Sequence, residues 1–148
     1  MTVPERIEQL LLNQFPEAII ESLEISEVST LHIKPDAIVY ISSFLKDDPN
    51  LGFDYLMSLS AVDLPDRFDV VYHLYSITHK HYVTLKVKAD KKNPVVPSVT
   101  SVWKAADWQE REVYDMFGIR FEGHPDLRRI LLEDSWEGFP LRKDYVES

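Results

Sequence analysis

The chain has 148 residues, a length typical of one domain, and 45% of them are hydrophobic, enough to build a core. Its formal net charge of −9 argues against binding to nucleic acid or to anionic lipid headgroups. The absence of cysteine excludes disulfides, thiolate zinc sites and cysteine-ligated iron–sulfur clusters within these residues.

Two helices and a short β-rich stretch are predicted in the first third of the chain. Apolar residues recur at helical spacing over residues 3–14, which predicts the first helix. A second amphipathic helix opens at Pro35 and ends at the breaker sequence of residues 47–50. Between the two helices, residues 23–33 are rich in β-formers, so we expect one strand or a small hairpin there.

Three strands and a third helix are predicted next. The strands cover residues 54–64, 68–77 and 82–88, and the short turns between them indicate an antiparallel meander. Residues 90–97 are predicted to form a loop. The third helix covers residues 105–117, before Gly118. This order predicts an α+β fold in which helices pack on one face of an antiparallel sheet.

The sequence changes character after Gly118. It becomes rich in charge and loses its periodicity, yet it keeps apolar residues such as Trp136 and Phe139. We therefore predict that residues 1–123 form the α+β domain. Residues 124–148 are predicted to form an extended, charged C-terminal arm, within a single domain overall, that wraps onto this domain. Because arginine and large aromatic residues are types that anchor interfaces, the arm is also predicted to wrap onto a partner subunit.

Three carboxylates on the third helix invite comparison with an acid–base or cation site. A helical wheel places Glu110 within the apolar stripe, whereas Glu112 and Asp115 point away from it. A buried carboxylate needs a partner, because an unpaired buried charge is costly. We predict that Glu110 is buried and pairs with Arg128 or Arg129, and that such ion pairs hold the C-terminal stretch on the domain.

Histidines offer two weaker candidate sites. His79 and His81 lie two residues apart beside a hairpin and fit either a metal pair or solvated turn residues. The intervening Lys80 favours the second interpretation, since its charge opposes a cation. His124 with Asp126 resembles a general base and its orienting acid, but no nucleophile motif accompanies them, which favours structural roles.

Three runs in the last forty residues carry a family resemblance: EREVYD at 110–115, HPDLRRIL at 124–131 and WEGFPLRKDY at 136–145. They resemble the C subunit (30 kDa subunit) family of proton-pumping NADH:quinone oxidoreductase, respiratory complex I. Glu133 departs from the family pattern, which has proline there. The residues that the resemblance assigns to the family motif and the subunit interface are Glu110, Arg111, Glu112, Asp115, His124, Arg128, Arg129, Trp136, Arg142, Lys143, Asp144 and Tyr145.

The resemblance implies a subunit of the peripheral arm, on the cytoplasmic side of the plasma membrane, that braces the D-type subunit of the quinone site. It implies no catalytic, cofactor-binding or metal-binding residue in this chain. Flavin and iron–sulfur clusters are expected in partner subunits, and the complex, not this chain, is expected to bind NADH and quinone. The four glycines form no nucleotide-binding fingerprint, in agreement with this expectation.

Membrane attachment is expected only through partners. No stretch approaches the ~20 apolar residues of a membrane span, and the first ten residues lack the pattern of a secretory signal. Two alternatives stay open. One is an equivalent subunit of a related membrane-bound hydrogenase or photosynthetic oxidoreductase complex. The other is a free-standing enzyme that uses His124 and Asp126 in acid–base catalysis.

Overall fold

Three α-helices and seven strands build the described part of the chain, residues 3–25 and 28–146 of this computed structural model. A 3₁₀ turn at Pro35–Ala37 leads into the second helix. The elements, in chain order, are α1 Val3–Gln14, β1 Ile19–Ile25, β2 Val28–Ile33, α2 Ile38–Asp47, β3 Tyr55–Asp63, β4 Arg67–Ser76, β5 His81–Asp90, β6 Val95–Pro97, α3 Ala106–Phe117 and β7 Arg120–Glu122.

The predicted helices and the central meander are confirmed. β3, β4 and β5 pair antiparallel in sequence, and β1 forms an antiparallel hairpin with β2. α3 ends at Gly118, whose φ of 76° lies in the left-handed region that closes a helix. The amide of Gly118 donates to the carbonyl of Tyr114 at 2.8 Å. Periodicity and the C-terminal glycine therefore located these elements correctly.

The sheet is mixed, and its prediction as purely antiparallel is wrong. Its strand order is β1-β2-β5-β4-β3, and β2 lies parallel to β5, with Leu31 opposite Leu85. The connection between these two strands contains α2, β3 and β4, a crossover long enough to bring parallel strands together. A second correction concerns the predicted loop at residues 90–97, where β6 pairs parallel with β7. These strands have three residues each, too few to show an alternating pattern.

One hydrophobic core lies between the sheet and the three helices. Alternate residues of β4 and β5, such as Tyr72 and Leu85, point into it, together with Ile7 of α1, Ile41 of α2 and Val113 of α3. The opposite face of the sheet has no helix packed on it among the described elements. The prediction of an α+β fold with helices on one face is confirmed.

Residues 124–146, here called the C-terminal segment, are described throughout and form turns without helix or strand. Residues 147–148 of the predicted arm lie outside the described residues. The amide of Leu141 donates to the carbonyl of Met116 at 3.0 Å, which places the segment against the end of α3. None of the helices in the described ranges is long and apolar enough to cross a membrane.

Candidate subunit interface on the third helix and the C-terminal segment

Asp115 is a fully buried carboxylate near the end of α3 that binds the start of the C-terminal segment. Its Oδ2 accepts hydrogen bonds from the amides of Ile130, Leu131 and Leu132 at 3.2, 2.7 and 2.9 Å. Its Oδ1 accepts one from Arg129 Nη1 at 2.8 Å. Burial by itself raises the pKa of this carboxyl, but the donated hydrogen bonds outweigh it, so the pKa is lowered.

The burial of Asp115 corrects the helical-wheel prediction that it points away from the protein interior. The C-terminal segment covers this second face of α3, and its irregular sequence gives no periodic signal of the contact. The predicted ion pairing between α3 and the arginines of the segment is confirmed for Asp115 with Arg129.

Arg129 uses its planar guanidinium to join three parts of the site. Besides the Asp115 carboxylate, Nη1 contacts the Asp115 carbonyl at 3.0 Å and Nη2 donates to the Gly138 carbonyl at 2.7 Å. The guanidinium carbon lies 4.8 Å from the ring centre of Phe139, a cation–π distance. A lysine has no such fork, so this position requires arginine.

Arg142 is also part of the fold. Its Nε donates to the carbonyl of Phe117 at 2.5 Å, and its guanidinium lies 5.2 Å from the ring centre of Phe68 and 5.0 Å from that of Phe139. Gly118 makes room for this stack, because a Cβ there would lie 2.6 Å from the Phe139 ring. Arg142 therefore anchors the segment to the end of α3 and to the core face of the sheet.

Asp63, at the end of β3, holds the far end of the segment. Its carboxylate pairs with the ammonium of Lys91 and accepts the backbone amide of Lys143 at 2.8 Å. Burial raises the pKa of Asp63, while the bonds from Lys91 and Lys143 lower it, and the net direction is downward. Sequence reasoning missed Asp63 as a site residue, because its only signal was a carboxylate on the core-facing side of a strand.

Glu110 is fully buried, as predicted, but its predicted arginine partner is wrong. Its Oε1 accepts from the Ser98 hydroxyl at 2.6 Å, and its Oε2 accepts from the Val99 amide at 2.8 Å. Among the residues that the structure describes, no arginine or lysine contacts it. Burial therefore raises its pKa to about 7, against the opposing effect of these two hydrogen bonds.

His124 is closed off from solvent. Its side chain is 0% exposed. Its Nδ1 accepts the Asp126 amide at 2.9 Å, so Nε2 carries the proton and donates to the carbonyl and the carboxylate of Asp107 at 3.0 and 3.1 Å. The carboxylate of Asp126 binds Arg128 instead of the imidazole. The general-base pair suggested by the sequence is not formed, and both histidine nitrogens serve structure.

Several other motif residues lie at the surface. Arg111 donates to the carbonyls of Arg128 and Arg129, both at 3.2 Å, and so supports the turn that precedes residue 130. Glu112 accepts the Trp108 indole N–H at 2.6 Å on the outer side of α3. The exposed side chains of the C-terminal segment include those of Arg128, Leu131, Trp136, Leu141, Lys143 and Asp144, while Tyr145 is half-buried.

The two histidines near the β4–β5 hairpin each contact a backbone carbonyl, and His81 is a half-buried residue of β5 rather than a solvated turn residue. His79 Nε2 lies 2.7 Å from the carbonyl of Pro49, and His81 Nε2 lies 2.8 Å from that of Leu51. Burial lowers the pKa of His81. Within residues 3–25 and 28–146, no three histidine, cysteine, aspartate or glutamate side chains come close enough together to hold a metal ion.

The family described as the 30 kDa subunit of respiratory-chain NADH dehydrogenase matches residues 31–148. The chain belongs to this family. This match confirms the resemblance deduced from three stretches of the sequence, at 110–115, 124–131 and 136–145.

Individual relatives support the assignment. The chain is 47% identical over 146 residues to the C subunit of NADH-quinone oxidoreductase from Roseiflexus sp. (strain RS-1), covering 97% of this chain and 82% of that one. It is 54% identical over 112 residues to the C subunit from Chloroherpeton thalassium, covering 74% of this chain and 47% of that one. The chain thus spans about half the length of the second relative.

Two solved structures share the fold. One is a chain of the membrane-bound sulfane sulfur reductase, an archaeal respiratory membrane complex. It aligns with a TM-score of 0.80 and 26% identity over 96% of this chain and 85% of that chain. The other is a trypsin-resistant fragment of Nqo5, with a TM-score of 0.66 and 27% identity over 82% of this chain and 99% of that one.

Proposed function

We propose that this chain is a subunit, without a cofactor or catalytic residue of its own, of the peripheral arm of a proton-translocating NADH:quinone oxidoreductase. It braces the D-type subunit of the quinone site, on the cytoplasmic side of the plasma membrane, while electrons pass from NADH to quinone in the partner subunits. Membership of the 30 kDa subunit family and 47% identity to a bacterial relative of that name support this assignment.

The observation that carries the proposal is the set of buried contacts that hold the C-terminal segment against α3 and the end of β3. Asp115, Arg129, Arg142 and Asp63 fix its backbone from the inside. These contacts use buried charges, which are costly to leave unpaired, so the segment keeps one shape. A segment held in this way presents a preformed surface, which lowers the entropic cost of binding a partner.

The outward side of the segment has the composition of an interface. Leu131, Trp136 and Leu141 expose large apolar side chains next to the exposed charges of Arg128 and Lys143. Tryptophan and arginine are enriched among residues that anchor protein interfaces. The motif residues therefore divide into an inner set, which shapes the segment, and an outer set, which contacts the D-type partner.

The two alternatives have less support. An equivalent role in a membrane-bound hydrogenase or photosynthetic complex fits the shared fold, but the 47% identity to a subunit of NADH-quinone oxidoreductase favours the first assembly. A free-standing acid–base enzyme lacks an accessible base, because His124 is buried and both its nitrogens are hydrogen-bonded.

Affinity isolation of the tagged chain from its native membranes in mild detergent tests the proposal. We expect the flavin-bearing, cluster-bearing and D-type subunits to co-purify, together with NADH:quinone activity. The purified chain alone should show no flavin or iron absorbance and no NADH oxidation. A stoichiometric flavin or iron cluster in the folded lone chain would contradict the proposal, as would the chain's isolation without oxidoreductase subunits.

A further inference from the structure

A row of tyrosines crosses the face of the sheet that no helix covers in the described structure. Tyr55 of β3 pairs with Tyr75 of β4, and Tyr75 pairs with Tyr82 of β5, so all three side chains stand on one face. The rings of Tyr75 and Tyr82 are 4.5 Å apart, while Tyr55 and Tyr82 are 49% and 46% exposed. Met57, at the bulge of β3, adds a further exposed apolar side chain.

Two concavities flank this row and share Met57 in their walls. One has a volume of about 330 Å³ and is lined by Tyr82, His73 and Lys86 among others. The second, of about 490 Å³, lies at the edge of β3 and is lined by Tyr55 as well as by Trp103, Lys46 and Lys104. The row and its two concavities, the second of which lies around the edge of β3 toward α2 and α3, are here called the tyrosine face.

The tyrosine face carries an excess of positive charge, although the protein as a whole is acidic. Its lining residues include the three lysines at 46, 86 and 104, whereas Asp54 is the one carboxylate among the described residues that line it. Asp54 already accepts the backbone amide of Ile77 at 3.1 Å, and Lys46 already donates to the carbonyl of Val102 at 2.8 Å. Because the chain as a whole has a net charge of −9, this local excess of positive charge selects a partner that presents carboxylates.

Strand addition at β3 is blocked beside this surface. The Gln109 side chain of α3 accepts the outward-facing amide of Leu59 at 2.6 Å, and its Nε2 lies 3.5 Å from the carbonyl of Leu56. The Gln109 side-chain amide occupies the positions that a further strand would use. At Leu56 and Leu59 a partner therefore binds through side chains and not by adding a strand.

The tyrosine face is distant from the interface proposed above. The C-terminal segment meets β3 at Asp63, and the row begins at Tyr55, eight residues away, or about 26 Å along an extended strand. The two side chains also point to opposite faces of the sheet, since Asp63 shares the core face with Phe68. The row of tyrosines and the contact at Asp63 therefore lie on opposite faces of the sheet and at opposite ends of β3.

We propose that the tyrosine face is a second protein-docking surface, whose occupant is a subunit other than the D-type partner. This subunit inserts an apolar side chain between Met57 and Tyr82, and pairs carboxylates with Lys86, Lys46 and Lys104. The inference rests on the proposed role as an assembly subunit, because it gives that role a second neighbour of stated chemistry.

Site-specific photo-crosslinking in the intact complex tests this inference. A Tyr82→p-benzoylphenylalanine variant should cross-link to another subunit of the complex, at a site that mass spectrometry places beside aspartate or glutamate residues. The matched control is the same substitution at Tyr40, which is 71% exposed on α2. We expect at least fivefold less cross-linked product from position 40.

Charge reversal provides the second measurement. In the Tyr82 cross-linking background, Lys86→Glu should lower the cross-link yield at least fivefold, whereas Lys88→Glu, which lies outside the concavity, should not. Cross-linking of Tyr82 only to the D-type subunit, to a second copy of this chain or to lipid would overturn the inference, as would no cross-link in an assembled complex. These assays begin with an assembled complex. If the proposed function were wrong, the chain would not co-purify with oxidoreductase subunits, and that failure would be seen before any cross-linking.

Discussion

Two buried carboxylates on one helix, Asp115 and Glu110, have opposite electrostatics. Both are fully buried, and they lie five residues apart on α3. Asp115 receives three backbone amides and a guanidinium, and its pKa is lowered. Glu110 receives one hydroxyl and one amide, and its pKa is raised to about 7. The number and charge of the donors, not burial alone, decide which of the two is held ionised.

The difference in pKa matches the part of the chain that each carboxylate binds. Asp115 binds residues 129–132 and so supports the proposed partner surface. Glu110 fastens Ser98 and Val99, which follow directly after β6. The contact of Glu110 lies inside the domain and tolerates a protonated carboxyl. The Ser98 hydroxyl can then donate its own proton to Thr100 Oγ1, which lies 2.8 Å away.

The largest effect is expected from Asp115→Asn. The variant leaves Arg129 buried without a counter-charge and weakens three backbone hydrogen bonds, so we expect a loss of about 3–5 kcal/mol in the free energy of unfolding at pH 7. Urea unfolding measures it, with the surface variant Glu112→Gln as control. Because the pKa of Asp115 is lowered, its contribution is lost as the pH falls below about 4, and the gap from wild type should close there. A loss under about 1 kcal/mol at pH 7 would contradict the account.

Glu110→Gln should change the pH dependence of stability. The folded pKa of about 7 lies above the ordinary value of 4.5, so the stability from this group is complete below pH 4.5 and is lost as the pH rises through 7. The wild type should therefore lose about 3 kcal/mol relative to the glutamine variant between pH 4.5 and pH 8. Urea unfolding at four pH values tests this, and parallel stability profiles for the two proteins would refute the raised pKa.

Arg129→Lys separates charge from geometry in the Asp115 contact. Lysine keeps the positive charge but cannot bind the Asp115 carboxylate and the Gly138 carbonyl together. We expect a loss of about 1–3 kcal/mol, smaller than that of Asp115→Asn, together with faster amide exchange at residues 130–132. If the lysine variant matches wild type in both measurements, charge alone explains the contact.

Arg128→Ala should have the smallest effect on folding. Arg128 pairs with Asp126 at 2.9 Å, but both side chains are more than half exposed, and such surface pairs contribute under about 1 kcal/mol. The melting temperature should therefore stay within about 2 °C of wild type, as calorimetry would show. A large loss would mean that both neighbouring arginines, and not Arg129 alone, hold the segment.

The sequence revealed those features that repeat along the chain. Helical periodicity located α1 and α3 and the burial of Glu110, and short turns revealed the meander. The parallel pairing of β2 with β5 has no local signal, because it depends on how a long crossover closes.

Contacts between distant irregular segments also had no signal in the sequence. Ser98 and Val99 lie in the irregular stretch after β6, and nothing in their sequence places them against Glu110. The wheel placed Asp115 outside the apolar stripe because the stripe records only the sheet-facing side of α3. The C-terminal segment that buries the other side has no period, and only the family resemblance signalled its importance.

Assembly of the complex with a double variant, Leu131→Ser with Trp136→Ser, tests the central claim most directly. Both side chains are exposed in the lone chain and neither fixes the shape of the segment, so the melting temperature should not change. The control is Tyr40→Ser, an exposed position on α2. Affinity isolation from native membranes should recover at least tenfold less D-type subunit and quinone reductase activity with the double variant than with the control. Full assembly and activity with the double variant would contradict the claim that the C-terminal segment is the surface through which this protein binds its partner.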